Sequence, residues 1–306
     1  MRKIAALLLL TAGAAHGAGS PTLRRQLSPR AASMADAYAA VAGGLSSLST
    51  NPAGLSGAAR PQLDTAFTSG VLDDTFGFLG WGQPLLNGVA AVGLSYYDAG
   101  KVDINFANGT GESRTAARDF VGHLAYALPL PGGLSAGATA KFYRFELAQE
   151  ARASGAALDA GAQWKTPLRG LSVGASLANA GPGVKFEQET DPLPLTARGG
   201  VSWAWTSAPM TKAGELSSVT GTQVLASLDA VKIRDEKTVA NLGAELATNF
   251  GPSTTIALRA GFRFNSDAER LTLGIGMREG RFTLDYAMSD KRTLGHAHHA
   301  GFGVRF

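Results

Sequence analysis

A chain of 306 residues is long enough for one large domain, and 28 Lys+Arg against 24 Asp+Glu leave a net charge of only +4, too slight to argue for a nucleic-acid surface. Charged residues make up 17% while Gly numbers 39, and no stretch is apolar over the ~18 residues a membrane helix needs, so a membrane protein of this composition has to be a barrel. The lack of cysteine excludes a disulfide framework, thiolate metal sites, a Cys nucleophile and a lipid-modified Cys.

The N-terminus carries Arg2 and Lys3, then an apolar run over 4–10, then small residues ending in Ala15-His16-Gly17. That order is the one of a secretory signal peptide spanning 1–17, cleaved after Gly17, and its apolar core is too short for a membrane anchor. Residues 18–60 come next as a small-residue segment and 61–306 as the strand region. Ser28-Pro29 is expected to start a short helix, since Ser caps free amides and Pro suits the first helical position. Residues 34–41 suit helix or extended chain equally. Residues 45–50 look helical and have to end at Asn51, because a residue before Pro is pushed out of the α region. Pro52 and Gly54 suit a tight turn. We expect this segment, closed by Asn51, Pro52, Ala53, Gly54 and Leu55, to be a plug with the rest of the chain as the wall around it.

From Leu63 onward the hydrophobic period changes to two. Phe282, Leu284, Tyr286 and Met288 alternate with Thr283, Asp285, Ala287 and Ser289, and Leu271, Leu273, Ile275 and Met277 alternate with Thr272, Gly274 and Gly276. Strands are expected over 63–69, 76–83, 89–97, 120–128, 134–145, 156–164, 171–178, 195–205, 224–232, 240–248, 256–264, 271–277, 282–289 and 297–306. They total about fourteen, each near the ~9–11 residues of a tilted membrane strand.

A soluble sandwich also alternates, so the face chemistry has to decide. The polar positions include Asp159, Arg198, Asp229, Glu245, Arg259, Arg263 and Asp285 beside many Gly and Ala, which suits a polar lumen with lipid outside. The expected fold class is therefore all-β, a transmembrane antiparallel β-barrel with a short helical or extended N-terminal plug in its lumen. Connections at 84–87, 129–132, 166–170, 249–253 and 279–280 read as short periplasmic turns. Those at 98–119, 147–155 and 179–194 read as longer extracellular loops. Residues 207–223 break the rule as a long segment on the short-turn side. Trp164, Trp203, Trp205, Tyr96, Tyr126 and Tyr286 fall on outward positions, several near strand ends where interface belts form. Phe302, Val304 and Phe306 share one face of the last strand and end the chain on an aromatic, like the signal read by outer-membrane assembly machinery.

Several stretches resemble the PorV/PorQ group of bacterial outer-membrane barrels, related to FadL-type transporters. Asn51-Pro52-Ala53-Gly54-Leu55 resembles the group's plug-closing motif. Ala178-Asn179-Ala180-Gly181-Pro182-Gly183-Val184-Lys185-Phe186, followed by Asp191-Pro192-Leu193-Pro194-Leu195, resembles its mid-chain pattern, and 243–306 resembles its closing strands. The chain departs from the group at Gly43-Gly44, where an acidic pair is usual, and at Ser49-Thr50, where an aromatic is usual. The resemblance implies a fourteen-stranded barrel with its N-terminal segment folded into the lumen. It also implies two alternative roles: passage of hydrophobic small molecules across the outer membrane, or escort of secreted client proteins in type IX secretion. The expected partners are outer-membrane lipid and the barrel-assembly machinery, with either hydrophobic small molecules or client proteins; no nucleic acid and no cofactor is expected.

No catalytic motif is present: there is no phosphate-binding glycine loop, no HExxH and no nucleophile elbow, and the glycines read as strand glycines. His296 and His298 fall on one face of the last strand and His299 on the other, so solvated histidines rather than a metal site are expected. The inward charges have two readings: Arg198, Arg259 and Arg263 pair with Asp159, Glu245 and Asp285 or with the plug, which is the expectation, or they line a path.

Overall fold

The computed structural model describes residues 21–71, 73–105, 110–186, 189–207, 219–292 and 295–306. The expected signal peptide and most of the 207–223 segment lie outside the described residues. Fourteen antiparallel strands close a barrel, and the first pairs with the last. In chain order the wall consists of β1 (Gln62–Ser69), β2 (Thr75–Leu85), β3 (Gly88–Asp98), β6 (Ala117–Pro129), β7 (Leu134–Leu147), β8 (Ala151–Lys165) and β9 (Leu171–Ala180). It continues through β12 (Thr196–Ser207), β13 (Val219–Ile233), β14 (Val239–Phe250), β15 (Thr254–Phe264), β16 (Leu271–Glu279), β17 (Phe282–Asp290) and β18 (His296–Arg305). Two loop hairpins stand apart from it: β4 (Lys101–Asn105) with β5 (Gly111–Thr115), and β10 (Val184–Phe186) with β11 (Glu189–Asp191). Among the described residues no helix is long and apolar enough to cross a membrane.

The period-two pattern gives the wall its two faces. On β14, Asn241 is 3% and Glu245 8% exposed, whereas Leu242 and Leu246 between and beside them are 42% and 44% exposed. The same inversion, with large apolar side chains outside and small or polar ones inside, runs through β15, β16 and β17. Trp164, Trp203, Trp205 and Tyr286 are exposed on the outside. Aromatic rings gather near the short-turn mouth: Trp81 packs against Phe306 at 5.4 Å and Phe282 stacks on Phe302 at 6.0 Å.

Residues 21–60 thread through the inside of the barrel. Their start is tied to the loop mouth, where Arg24 meets Glu236 and Arg25 meets Asp74. Their end passes into β1 at the opposite mouth, where the Phe306 amide donates to the Pro61 carbonyl. Ala31, Met34, Tyr38 and Leu55 are fully buried there. The one α-helix among the described residues, α1 (Pro29–Ser33), begins at Pro29 as expected, but Ser28 does not cap it: its hydroxyl donates to Ser46 Oγ at 2.9 Å. The helix expected over 45–50 shrinks to a 3-10 turn over Gly44–Ser47, and 34–41 is neither helix nor strand. Asn51 is extended (φ −153, ψ 107), as a residue before Pro has to be, and it leads into a six-residue 3-10 turn over Pro52–Gly57.

Two connections differ from expectation. The 147–155 loop reduces to 148–150, because Ala148 and Gln149 adopt left-handed φ of 48° and 61° that reverse the chain at once and let β7 and β8 pair to their ends. The long 98–119 connection is mostly the β4–β5 hairpin.

Candidate functional site

A segment with so little regular structure cannot satisfy its own backbone, so its buried amides and carbonyls need partners from the wall. The wall supplies them as inward polar side chains. Asp229 Oδ2 accepts from the Tyr38 and Ala39 amides at 2.8 and 2.9 Å. Gln163 Nε2 donates to the Ala39 carbonyl at 2.9 Å, Ser202 Oγ to the Ala40 carbonyl at 3.0 Å, and Ser176 Oγ to the Thr50 carbonyl at 2.6 Å. Thr272 Oγ1 accepts from the Ala35 amide at 3.0 Å and donates to the Ser33 carbonyl at 2.9 Å.

Several wall residues against which the segment lies most closely are glycines. A Cβ on Gly161 would lie 2.0 Å from Asn51 Oδ1, one on Gly174 2.0 Å from the Ala39 carbonyl, and one on Gly261 2.3 Å from the Ala35 amide nitrogen. Gly137 under Pro52, Gly243 under Met34 and Gly274 under Ser33 extend this path around the lumen. Glycines expected only as strand glycines thus form the bed on which the inner segment lies.

Within the five-residue motif, Asn51 does most of the joining. Its Nδ2 donates to the Ala39 carbonyl at 2.7 Å and to the Ala162 carbonyl of β8 at 3.0 Å, while its Oδ1 accepts from the Ala53 amide at 3.1 Å and caps the 3-10 turn. Pro52, Ala53, Gly54 and Leu55 are buried beside it. Leu55, Leu45 and Leu48 pack with Phe76, Phe78 and Val89 into an apolar cluster on the β1–β6 side of the lumen.

The charges concentrate on the other side. Glu245 accepts from Arg30 of α1 and, at 2.6 Å, from Arg259 Nε, and Arg259 Nη1 continues to Asp285 at 2.7 Å. Arg198 Nη1 donates to the Asp36 carbonyl at 2.6 Å and to Asp229 at 3.3 Å. Arg263 bonds Asp36 of the segment and meets Glu269 at 3.4 Å, and Glu269 in turn pairs with Lys291. Asp159 pairs with Lys141 at 2.7 Å rather than with an arginine. Lys141 also donates to Asn179 of the mid-chain motif, whose own amide donates to Asp159 at 2.8 Å.

Arg30, Asp36, Lys141, Glu269 and Lys291 are not singled out by the sequence. Strand alternation places Lys141 inward but gives no partner, and Arg30 and Asp36 lie where no period exists. Phe302 and Phe306 are exposed on the outer face of β18, with Val304 between them half-buried. His296 and His298 point outward, whereas His299 points inward to Thr68 at 2.9 Å and Ser289 at 3.2 Å. Among the described residues no group of three or more His, Cys, Asp or Glu is placed to hold a metal ion.

Free space is divided in the same way. Small cavities of about 150 and 260 Å³ lie beside the segment, while one of about 990 Å³ opens at the short-turn mouth.

These features define a closed fourteen-stranded antiparallel barrel with an apolar outer face and a polar interior filled by its own N-terminal segment. The same fold recurs in solved structures. The CymD monoaromatic hydrocarbon channel superposes with a TM-score of 0.57 at 10% identity over 92% of this chain and 98% of that one. The Pseudomonas putida toluene transporter TodX does so with a TM-score of 0.57 at 10% identity over 90% and 97%. No family model and no curated protein sequence matches the chain.

Proposed function

We propose that the protein is a non-enzymatic outer-membrane barrel, FadL-like in build, that passes hydrophobic small molecules, with residues 21–60 acting as its plug. The observation that carries this reading is the combination of an outer face of exposed Leu, Phe, Ile and Trp with a lumen occupied by a hydrogen-bonded segment of the chain itself. An apolar belt of that extent is stable against hydrocarbon and not against water. The fold shared with channels named for monoaromatic hydrocarbons and toluene supports the same class of cargo. The short turns then face the periplasm and the hairpin-bearing loops the outside. Membership of the PorV/PorQ group stays a proposal carried by the three sequence motifs, and no structural observation favours protein escort over passage.

Liposomes containing the folded protein should take up toluene faster than empty liposomes. Equal rates with folded barrel would overturn the reading.

A further inference from the structure

The cavity of about 990 Å³ at the short-turn mouth is lined by Arg30, Arg60, Arg278, Arg281 and Arg305, and among the described residues no Asp or Glu lines it. Of the five, only Arg30 stands in a salt bridge among the described residues, and its carboxylate, Glu245, lies deeper in the lumen. Arg278 Nη2 is held by Thr255 Oγ1 at 2.8 Å, and the Arg281 guanidinium sits 5.0 Å from the centre of the Phe282 ring. The rim carboxylate Glu279 is occupied by the hydroxyls of Ser253 and Thr254. Besides Arg30 and Arg60, the plug contributes only the small residues Ala42, Gly43, Gly44, Gly57, Ala58 and Ala59 to this space.

Elsewhere in the lumen this chain matches each buried cation to a carboxylate: Arg259 to Glu245 and Asp285, Arg263 to Asp36 and Glu269, Lys141 to Asp159. The mouth departs from that pattern: among the described residues five arginines and no carboxylate line it, and Asp64, Glu245 and Asp285 lie in the adjoining smaller cavity that Arg30, Arg278 and Arg305 also line. Guanidinium forks recognise oxyanions through paired N–H donors, and several of them in a confined site favour an anion of more than one charge. The remaining lining is polar or small, with Gln62, Gln223, Ser253 and Thr254 and no large apolar side chain, so the site does not match a greasy tail.

We infer that this vestibule is a binding site for a multiply charged oxyanion of the phosphate class, separate from any hydrophobic path. Such a group can come from a free phosphate or phosphorylated solute, or from the headgroup of a lipid at the membrane surface. The inference goes beyond passage of hydrophobic molecules and does not depend on it.

The test is calorimetric titration of the full chain in neutral detergent with inorganic phosphate, in chloride buffer at neutral pH. Saturable binding is expected, at least tenfold tighter than for benzoate, which offers one charge and a ring. The double variant Arg278→Gln, Arg281→Gln should weaken phosphate at least tenfold, and Arg60→Gln, outside the strands, should weaken it by a smaller factor, with β-sheet circular dichroism confirming the fold of each. No saturable phosphate binding, benzoate binding as tight as phosphate, or unchanged affinity in the folded double variant would each overturn the inference. Repeating the phosphate titration in vesicles of phosphatidylcholine and of phosphatidylglycerol separates the two sources: equal affinity assigns a soluble anion, competition in phosphatidylglycerol a lipid headgroup. Toluene uptake by the same vesicles is a separate readout, so loss of uptake with intact phosphate binding removes the passage reading alone.

Discussion

One edge of the Arg30 guanidinium meets Glu245 across the lumen in a paired contact, Nε donating to Oε2 at 2.8 Å and Nη2 to Oε1 at 2.6 Å. Glu245 is also the partner of Arg259, so one carboxylate joins the inner segment to the wall and the wall to itself. Glu245→Ala therefore leaves Arg30 without its carboxylate and Arg259 with Asp285 alone, at a cost of about 3–5 kcal/mol. Denaturant titration of the folded barrel followed by circular dichroism reads this directly, and wild-type stability in the variant would contradict the account.

The glycine bed makes a second prediction. Gly261→Ala sets a methyl group 2.3 Å from the Ala35 nitrogen and 2.4 Å from the Met34 carbonyl carbon, both backbone atoms that cannot swing aside. The expected loss is about 1–3 kcal/mol by overpacking, together with displacement of α1. Gly199→Ala, where a Cβ meets nothing within 4 Å, is the matched control and should be silent.

Asn51 separates two roles that a single deletion would merge. Asn51→Asp keeps the acceptor for the Ala53 amide but loses the donor to the Ala39 and Ala162 carbonyls, whereas Asn51→Ala loses both. The cap alone is worth about 0.5–2 kcal/mol. Asn51→Asp also buries a carboxylate facing carbonyl oxygens, so it should be the worse variant at neutral pH and recover toward Asn51→Ala as acid neutralises it. Unfolding midpoints at two pH values check the order.

Deleting residues 28–49 removes α1 and most of the hydrogen bonds that fill the lumen. Single-channel conductance in planar bilayers should then rise from near zero to that of a wide pore. Unchanged conductance with the barrel folded would dispose of the plug assignment.

The strands are legible because a wall with one wet and one oily face imposes period two on every span, and each alternating residue reports its own side. Loop hairpins at 101–115 and 184–191 leave no such trace, since neither face of a loop is tied to a solvent. The same limit hides β8 from 151 to 155: Arg152 and Ser154 alternate with Ala153, but nothing local shows that Ala148 and Gln149 can close the turn. Inward charges are legible as inward, and their pairing is not. The sequence offers Asp159 as a partner for an arginine, whereas Lys141 lies beside it on the neighbouring strand through the Thr139–Asp159 register.

By itself, then, the sequence determined a barrel, its strand count and which residues face inward, because those depend on alternation and composition alone. It also marked the end of the inner segment, because Pro52 forces Asn51 to be extended. Only the tertiary structure decided how that segment is held, since its bonds run to strands more than a hundred residues away and no period connects them. It likewise decided that five arginines from both ends of the chain line one cavity with no carboxylate among its described residues, a property of closure that no stretch of the sequence contains.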